Sequence, residues 1–256
     1  TPLSGFHDFV SVLISGHKAQ VRLSEHNNKL LPFLTRYLTD LDPSIEQDVE
    51  FVKEQISNYD AVIVHGNDKT AVHFGHYLKD IPHIIRKNLN SVAVLTGKET
   101  HEDLQMLSND IFRYYGLSNR NVSKVYVPEN YDFTPFYQAV FDWKDLTLEV
   151  KYMNNYDYNK AVYLMSNHNS NDLLDNEFLL LKQDPNLASP VGVVFYSYYA
   201  NKAELIQELE EKADEIEVIL GDLSEKNSLK FGESHTIKLD DYADAIDTLE
   251  FLSNLN

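Results

Sequence analysis

The sequence contains no cysteine among its 256 residues. Disulfide bonds, thiolate-bound zinc and a cysteine nucleophile are therefore excluded within this chain. Basic residues are also scarce, since 22 lysines and arginines stand against 40 acidic residues and give a formal net charge of −18. Such a chain has no basic stripe that could neutralise phosphates, so we expect no nucleic-acid partner.

Long apolar runs are missing as well. No run approaches the ~20 apolar residues that a membrane span needs, so we predict no membrane span. The first residues lack the basic region and small-residue cleavage site of a secretory signal, which together with the missing cysteine favours a cytoplasmic location. Hydrophobic residues make up 43% of the chain, enough for a sizeable core in one large or two modest domains.

Helical and strand patterns alternate in the first third of the chain. The predicted elements are a helix over 2–15, a strand over 19–23, a helix over 25–41, strands over 49–52 and 61–64, and a helix running to about 79. The strand over 61–64 is a continuous apolar run, which is typical of a parallel strand buried on both faces. This order predicts an α/β fold whose first part is a doubly wound nucleotide-binding half.

Gly66 and Asn67 form a predicted turn between the strand over 61–64 and the next helix. Phosphates bind at such places because free N–H groups and the helix dipole point at them. The full Gly-x-Gly-x-x-Gly pattern is absent, so a tight turn with an acidic cap is the alternative interpretation.

A second unit begins near Pro82. Thr100 and Asp103 have the spacing of a capping box and open a helix predicted to run to Tyr115, which shares an apolar face with Leu104, Leu107 and Ile111. The remaining predicted strands cover 84–87, 91–95, 125–127, 178–181, 191–195 and 218–220. The remaining predicted helices cover 133–143, 152–165, 202–216 and 242–255, and residues 167–175 are the most loop-like insertion.

The polar loop over residues 116–121 lies between the helix ending at Tyr115 and the strand over 125–127. Its residues contribute little to packing, and a loop between a helix and a strand is a common place to present a nucleophile.

Histidines are the other chemical candidates. His65, His73, His76 and His83 lie close together in sequence, and His73 with His76 has the spacing of a metal-binding pair on a helix. Because no third ligand has suitable spacing, surface histidines are the favoured interpretation, and we predict no metal.

Six long stretches together resemble the acyl-CoA reductase family of bacterial bioluminescence-type fatty-acid reductases, a branch of the aldehyde dehydrogenase superfamily. These stretches cover residues 5–9, 14–24, 83–100, 110–128, 154–165 and 241–252. The resemblance implies two doubly wound α/β lobes: a partial, Rossmann-like NAD(P)-binding domain over 1–82 and a catalytic domain over 83–235, followed by a tail helix over 236–256. Family members are longer at the N-terminus, so we expect further sequence before residue 1, and homo-oligomers are usual in the superfamily.

The resemblance also implies a chemistry that this chain departs from. In the family, a fatty acyl group passes from CoA or an acyl-protein donor to a cysteine, and hydride from NADPH then releases the aldehyde. The family loop reads Gly-Leu-Gly-Cys-Arg-Asn-Val-Ser-Lys, whereas residues 116–124 read Gly-Leu-Ser-Asn-Arg-Asn-Val-Ser-Lys, which puts Asn119 at the nucleophile position. A carboxamide cannot form a thioester, and no base is apparent for the adjacent Ser118.

Three functional hypotheses follow from this departure. The first is an acyl-CoA reductase homologue whose covalent step is lost or altered. The second is a non-catalytic partner subunit that keeps a nucleotide or acyl pocket. The third and weakest is a hydrolase that uses Ser118.

Cofactor positions match the family more closely. Arg22 matches a family lysine at the adenosine ribose, and an arginine there can bind the 2′-phosphate of NADPH in a bidentate way. Ser24, Gly66 and Asn67 would lie near the ribose and pyrophosphate. The alternative interpretation of Arg22 is a simple charge at the end of a strand.

Overall fold

The computed structural model describes the chain except for residues 1, 2, 4, 26, 54, 55, 67, 167–172, 224–227, 239, 240, 243, 245 and 256. The helices are α1 (Phe6–Ile14), α2 (Leu30–Leu41), α3 (Asp68–Tyr77), α4 (His101–Phe112), α5 (Thr134–Val140), α6 (Val150–Ser166), α7 (Lys202–Glu211) and α8 (Thr248–Ser253). The strands are β1 (Ala19–Val21), β2 (Val49–Phe51), β3 (Val62–His65), β4 (His83–Arg86), β5 (Asn90–Val94), β6 (Val122–Pro128), β7 (Leu173–Asp175), β8 (Leu180–Gln183), β9 (Val193–Tyr199), β10 (Ile216–Leu220) and β11 (Ser228–Leu229).

The chain divides into two compact units. Unit 1 comprises residues 1–88 and 238–256, and unit 2 comprises residues 89–237. The first boundary therefore falls after β4, a few residues beyond the predicted 82, and the tail is part of unit 1. Within the described residues, no helix combines the length and the apolar character needed to cross a membrane.

Unit 1 holds two parallel strand pairs. β1 pairs with β2 and β3 pairs with β4, and in the described part of unit 1 these pairs form separate two-stranded sheets. Its small core gathers Phe9 of α1, Ala19 of β1 and Leu31 of α2. α2 begins at Leu30 and not at the predicted residue 25, because its core-facing side starts only at Leu31.

Unit 2 is built on one sheet of seven strands in the order β11-β10-β5-β6-β9-β8-β7. Every neighbouring pair is parallel except β7 with β8, which is antiparallel. α4 and α5 pack on one face of the sheet, and α7 packs on the other face against β5 and β6. Because both faces are covered, β5, β6 and β9 are apolar over most of their length, as a buried parallel strand must be.

Two bulges interrupt the sheet beside the same residue of β5. Ser123 is an extra residue in β6, and Glu217 is an extra residue in β10, so that Ser91 of β5 lies at both irregularities. Bulges in parallel sheets are rare, and they often redirect side chains near functional sites.

Several predicted boundaries are wrong, and tertiary contacts explain them. The helix predicted over 202–216 ends at Glu211, because Ile216 pairs with Asn90 of β5 and starts β10. The helix predicted over 133–143 ends at Val140 and continues as a 3-10 helix. Of the tail helix predicted over 242–255, residues 243 and 245 lie outside the described residues, and the others form an α-helix only in α8. The edge strands β7 and β11 are too short to have been predicted. Of the loop predicted over 167–175, residues 167–172 lie outside the described residues.

Candidate functional site

The candidate site in unit 2 is the loop Gly116–Asn121, called the central loop below, which leads from α4 into β6. α4 begins with the predicted capping box, since the Thr100 hydroxyl accepts from the Asp103 N–H at 3.1 Å and the Asp103 carboxylate accepts from the Thr100 N–H at 2.9 Å. The helix ends at Phe112, three residues before the predicted Tyr115. Tyr115 is 45% exposed and does not lie on the apolar face of α4.

The buried Asn121 fixes the central loop by hydrogen bonds to the end of α4 and to Ser118. The two hydrogens of its Nδ2 are shared among the carbonyls of Asp110, Ile111 and Arg113, which lie at 2.9, 3.2 and 2.9 Å, and its Oδ1 accepts from the Ser118 N–H at 2.8 Å. The last carbonyls of a helix need partners outside it, and here one side-chain amide supplies them. The end of α4 and the start of β6 are therefore held by a single residue.

Asp110 anchors the same region to the segment after β11. Its buried carboxylate accepts from the Gly232 N–H at 2.5 Å, the Ser234 N–H at 3.1 Å and the Ser234 hydroxyl at 2.6 Å. Burial raises the pKa of Asp110, although these three hydrogen bonds act in the opposite direction.

His235, in the segment after β11, also lies against Asn121. Partial burial, with Arg113 and Arg120 nearby, lowers the pKa of His235 to about 4, so its ring is neutral near pH 7. A neutral ring can accept at Nε2, and that atom lies 3.2 Å from Nδ2 of Asn121. Among the described residues here, His235 is therefore a neutral but weak base, and its Nε2 lies within hydrogen-bond distance of Asn121.

Asn119 and Ser118 occupy the outer part of the central loop. The Asn119 carbonyl accepts from the Ser91 hydroxyl at 2.8 Å, which ties the loop to the residue of β5 that lies beside both bulges. The Ser118 hydroxyl accepts from the Arg120 N–H at 3.3 Å. Within the described residues, no hydrogen bond joins the Ser118 hydroxyl to a histidine or a carboxylate.

Arg120 turns away from the loop surface. Its Nη1 donates to the Ser234 carbonyl at 3.0 Å, and its Nε lies 3.3 Å from a carboxylate oxygen of Glu217, the bulge residue of β10. Arg120 thus holds the loop in place.

The predicted cofactor residues belong to unit 1. Arg22 and Ser24 follow β1 and are exposed, and Arg22 forms no ion pair within the described residues. Gly66 follows β3, in the other strand pair, and its N–H donates to the Arg86 carbonyl at 3.1 Å. A Cβ at Gly66 would lie 2.4 Å from the Thr70 side chain, so glycine is needed there for packing. Asn67 lies outside the described residues.

A buried charged cluster in unit 1 was not predicted. Arg86 donates through Nε and Nη2 to the two carboxylate oxygens of Asp8, both at 2.8 Å. His65 Nε2 lies 2.6 Å from Asp8, and the Thr248 hydroxyl lies 3.0 Å from it. Burial alone would raise the pKa of Asp8, but His65 and Arg86 together bring that pKa well below its ordinary value. An aspartate beside Phe9 on the buried side of α1 was the available sequence signal.

Lys124 is a second buried charge that was not predicted. It lies in β6 with no exposed surface, and its Nζ donates to the Asp184 carbonyl at 2.5 Å and lies 5.1 Å from the centre of the Tyr126 ring. Burial, with a smaller contribution from Lys212, lowers the pKa of Lys124 to about 8. The sequence signal for this buried charge was that Lys124 lies two residues before Tyr126, on the same face of the apolar strand β6.

The histidines do not form a metal site within the described residues. No group of three or more His, Asp or Glu side chains there is arranged to hold a metal ion. His73 and His76 are exposed on α3, His65 is bonded to Asp8, and His83 bonds to a backbone carbonyl.

Comparisons with known proteins identify the fold. No family model matches the sequence, and no curated protein sequence matches it. A betaine aldehyde dehydrogenase from Staphylococcus aureus in complex with NAD+ superposes with a TM-score of 0.60 at 13% identity, over 90% of this chain and 54% of that chain. An indole-3-acetaldehyde dehydrogenase from P. syringae gives a TM-score of 0.58 at 11% identity, over 84% of this chain and 52% of that chain. Proline utilization A from Corynebacterium freiburgense gives 0.55 at 11% identity, over 82% and 28%.

These similarities establish the fold. The chain has an α/β fold of the aldehyde dehydrogenase type, as the sequence predicts. It spans about half the length of the two dehydrogenases named above.

Proposed function

We propose that this chain is a relative of the acyl-CoA reductases that binds a fatty acyl thioester through unit 2 and NADPH through unit 1, without forming a covalent acyl intermediate. The aldehyde dehydrogenase fold and the sequence resemblance support the two ligand classes. The observation that carries the proposal is Asn119, a carboxamide where the resemblance puts the family's nucleophile, in a loop whose backbone is held by hydrogen bonds to Ser91 and Asn121.

The chemistry of the loop supports binding without acyl transfer. Attack on a thioester needs a soft nucleophile that is ionised near neutral pH, and a carboxamide has no such proton. Ser118 would need a base to remove its proton, and its hydroxyl contacts only the Arg120 N–H within the described residues. The same contact disfavours the hydrolase hypothesis.

The residues of unit 1 are compatible with a nicotinamide dinucleotide. The exposed Arg22 guanidinium would pair with a 2′-phosphate, and the exposed Ser24 hydroxyl would hydrogen-bond to the ribose. Because the N–H of Gly66 is used by β4, the donors for the pyrophosphate would come from the first turn of α3. In the reductases that this chain resembles, a bound nicotinamide would supply the hydride; without an acyl-enzyme to accept it, we expect this chain to bind the cofactor and not to oxidise it.

Acylation of a restored thiol tests the role of position 119. We expect Asn119→Cys to accept the acyl group of dodecanoyl-CoA: the thiolate attacks the carbonyl carbon, the carbon–sulfur bond to CoA breaks, and the CoA thiolate leaves and takes up a proton. Intact-mass spectrometry should show one added acyl group, and hydroxylamine should remove it. Ser118→Cys is the matched control and should remain unmodified, because it places the same thiol one residue away.

Two outcomes would contradict this proposal. Acylation of the unaltered chain, or oxidation of NADPH by it in the presence of dodecanoyl-CoA, would show that covalent or reductive chemistry proceeds without the thiol. Equal acylation of both cysteine variants would show that position 119 has no special geometry.

Titration of the reduced cofactors tests unit 1. We expect the fluorescence of NADPH to saturate with the unaltered chain, and Arg22→Ala to weaken NADPH about tenfold while NADH changes little, because only NADPH carries the 2′-phosphate. Arg36→Ala removes another exposed arginine of unit 1 and serves as the control. A flat NADPH response would refute the cofactor assignment.

A further inference from the structure

Two consecutive tyrosines before the central loop have left-handed backbones. Tyr114 has φ 55° and ψ 28°, Tyr115 has φ 61° and ψ 26°, and Gly116 follows with φ 72°. Left-handed backbone is easy for glycine but costly for a bulky aromatic residue, and two such residues in succession are rare. The chain uses glycine only at the third of these positions.

Packing of these tyrosines does not offset the cost. Tyr114 is 51% exposed and Tyr115 is 45% exposed, and the following Leu117 is 59% exposed. Tyr114 has one ring neighbour, His235, at a centroid distance of 5.3 Å. Within the described residues, Tyr115 has no ring contact and no side-chain hydrogen bond.

Strain of this kind persists only where the surroundings impose it. Asn121 binds the carbonyls on the helix side of the two tyrosines, and the Leu117 N–H donates to the Tyr114 carbonyl at 3.2 Å on the loop side. The fold therefore fixes both ends of a short segment that leaves both aromatic side chains about half exposed and leads directly into the central loop.

We infer that Arg113, Tyr114, Tyr115 and Leu117, called the tyrosine lip below, bind an amphiphilic anion: an apolar chain lies against the rings and Leu117, and Arg113 pairs with the anionic end. Arg113 is exposed and forms no ion pair within the described residues. The inference rests on the proposed function, because it assigns the fatty acyl ligand of that site to a particular surface.

Local charge favours an anionic ligand over an uncharged or cationic one at the tyrosine lip. The lip presents the exposed guanidinium of Arg113 beside exposed apolar groups, and sedimentation distinguishes an amphiphilic ligand from a second copy of the chain. An anionic ligand with an apolar chain satisfies both features, since the rings provide apolar contact area and the guanidinium provides a charge-assisted hydrogen bond.

The experiment uses one position and two kinds of substitution. Tyr115→Gly removes the ring and relieves the backbone, so its thermal midpoint should rise by about 2–4 °C while its affinity for dodecanoyl-CoA falls about tenfold. Tyr115→Phe keeps the ring and should bind as the unaltered chain does. Asn130→Gly changes another exposed left-handed residue, at the far end of β6, and should leave binding unchanged.

The ligand probes separate the tyrosine lip from the proposed function. Titrations with dodecanoyl-CoA, dodecanoate and CoA are followed by calorimetry below the micellar concentration. If the unaltered chain binds dodecanoate in a Tyr115-dependent manner but does not bind dodecanoyl-CoA, binding at the tyrosine lip is supported and the proposed binding of a thioester is refuted. If Tyr115→Gly binds dodecanoyl-CoA as well as the unaltered chain does, the lip is refuted and the thioester function stands.

Two further outcomes overturn the inference. Binding of neither ligand by the unaltered chain removes both the lip and the proposed function. A dimer in sedimentation that Tyr115→Gly dissociates would assign the surface to a second copy of the chain.

Discussion

Replacing Lys124 by methionine should make the protein more stable near neutral pH and less stable in alkali. Lys124 has no exposed surface, and burial lowers the pKa of its ammonium from 10.5 to about 8. Between these two pKa values the unfolded chain binds more protons than the folded chain, so the contribution of Lys124 to stability rises with pH through this window. Below about pH 8, the folded chain must keep the ammonium of Lys124 charged although it is desolvated.

The magnitude follows from the same two pKa values. Each pH unit between the folded and unfolded pKa corresponds to about 1.4 kcal/mol, so keeping the charged Lys124 in the fold costs about 3 kcal/mol near pH 7. Methionine avoids this cost at a similar volume but loses the hydrogen bond to the Asp184 carbonyl, which is worth about 1 kcal/mol. That carbonyl still accepts from the Ser197 hydroxyl at 3.3 Å. We expect Lys124→Met to be about 2 kcal/mol more stable near pH 7 and about 1 kcal/mol less stable above pH 10.5.

Urea unfolding at several pH values, followed by circular dichroism, measures this crossover. The comparison between variant and unaltered chain removes the titration of all other groups. Lys151→Met is the control, because Lys151 is an exposed lysine of α6, and its effect should stay within about 0.5 kcal/mol at every pH. A difference between Lys124→Met and the unaltered chain that does not change with pH would refute the reasoning, since it would show that the buried amine keeps its ordinary pKa.

Two other perturbations test the backbone and the charged cluster. Gly221→Ala should lower the free energy of unfolding by about 2–4 kcal/mol, because Gly221 has φ 116° and a Cβ there would lie 2.4 Å from the Val94 carbonyl oxygen. Gly16→Ala is the control in the same urea titration. It should cost only about 1 kcal/mol, because Gly16 has φ 80° but no atom lies within 4 Å of the added Cβ. Asp8→Asn should cost about 3–5 kcal/mol near pH 7, because it leaves the buried Arg86 without its main counter-charge. Since the pKa of Asp8 is lowered in the fold, that loss should shrink as the pH falls below about 4, and a loss that persists in acid would contradict the ion-pair explanation.

The sequence predicts elements well where local patterns and burial agree. The strand predicted over 91–95 is correct, and β5 is buried along most of its length. The prediction that the apolar run over 61–64 is buried on both faces is wrong, because β3 belongs to a two-stranded sheet and is only half-buried. The capping box of Thr100 and Asp103 is correct because its two hydrogen bonds depend only on residues three apart.

The candidate site depends on contacts that no local pattern reports. The helical spacing of Leu104, Leu107 and Ile111 continues to Tyr115, yet α4 ends earlier because Asn121, the last residue of the central loop, binds its last carbonyls. A partner ten residues away along the chain is not visible in a periodicity of three or four residues.

The bulge at Ser123 explains why the buried Lys124 was not predicted. Strict alternation in β6 fails at Ser123, so the inward direction of Lys124 depends on the pairing with β5. Lys124 was therefore missed as a buried charge, although the central loop was recognised from its polarity.

The charged cluster of Asp8, Arg86 and Thr248 has a consequence for biosynthesis. Asp8 and Thr248 are 240 residues apart in sequence, and the whole of unit 2 lies between the two pieces of unit 1. While the nascent chain emerges from the ribosome, unit 2 is complete before the final helix of unit 1 has been translated. Because the Thr248 hydroxyl bonds to both Asp8 and Arg86, the full hydrogen-bond set of this cluster can form only after unit 2 has been translated.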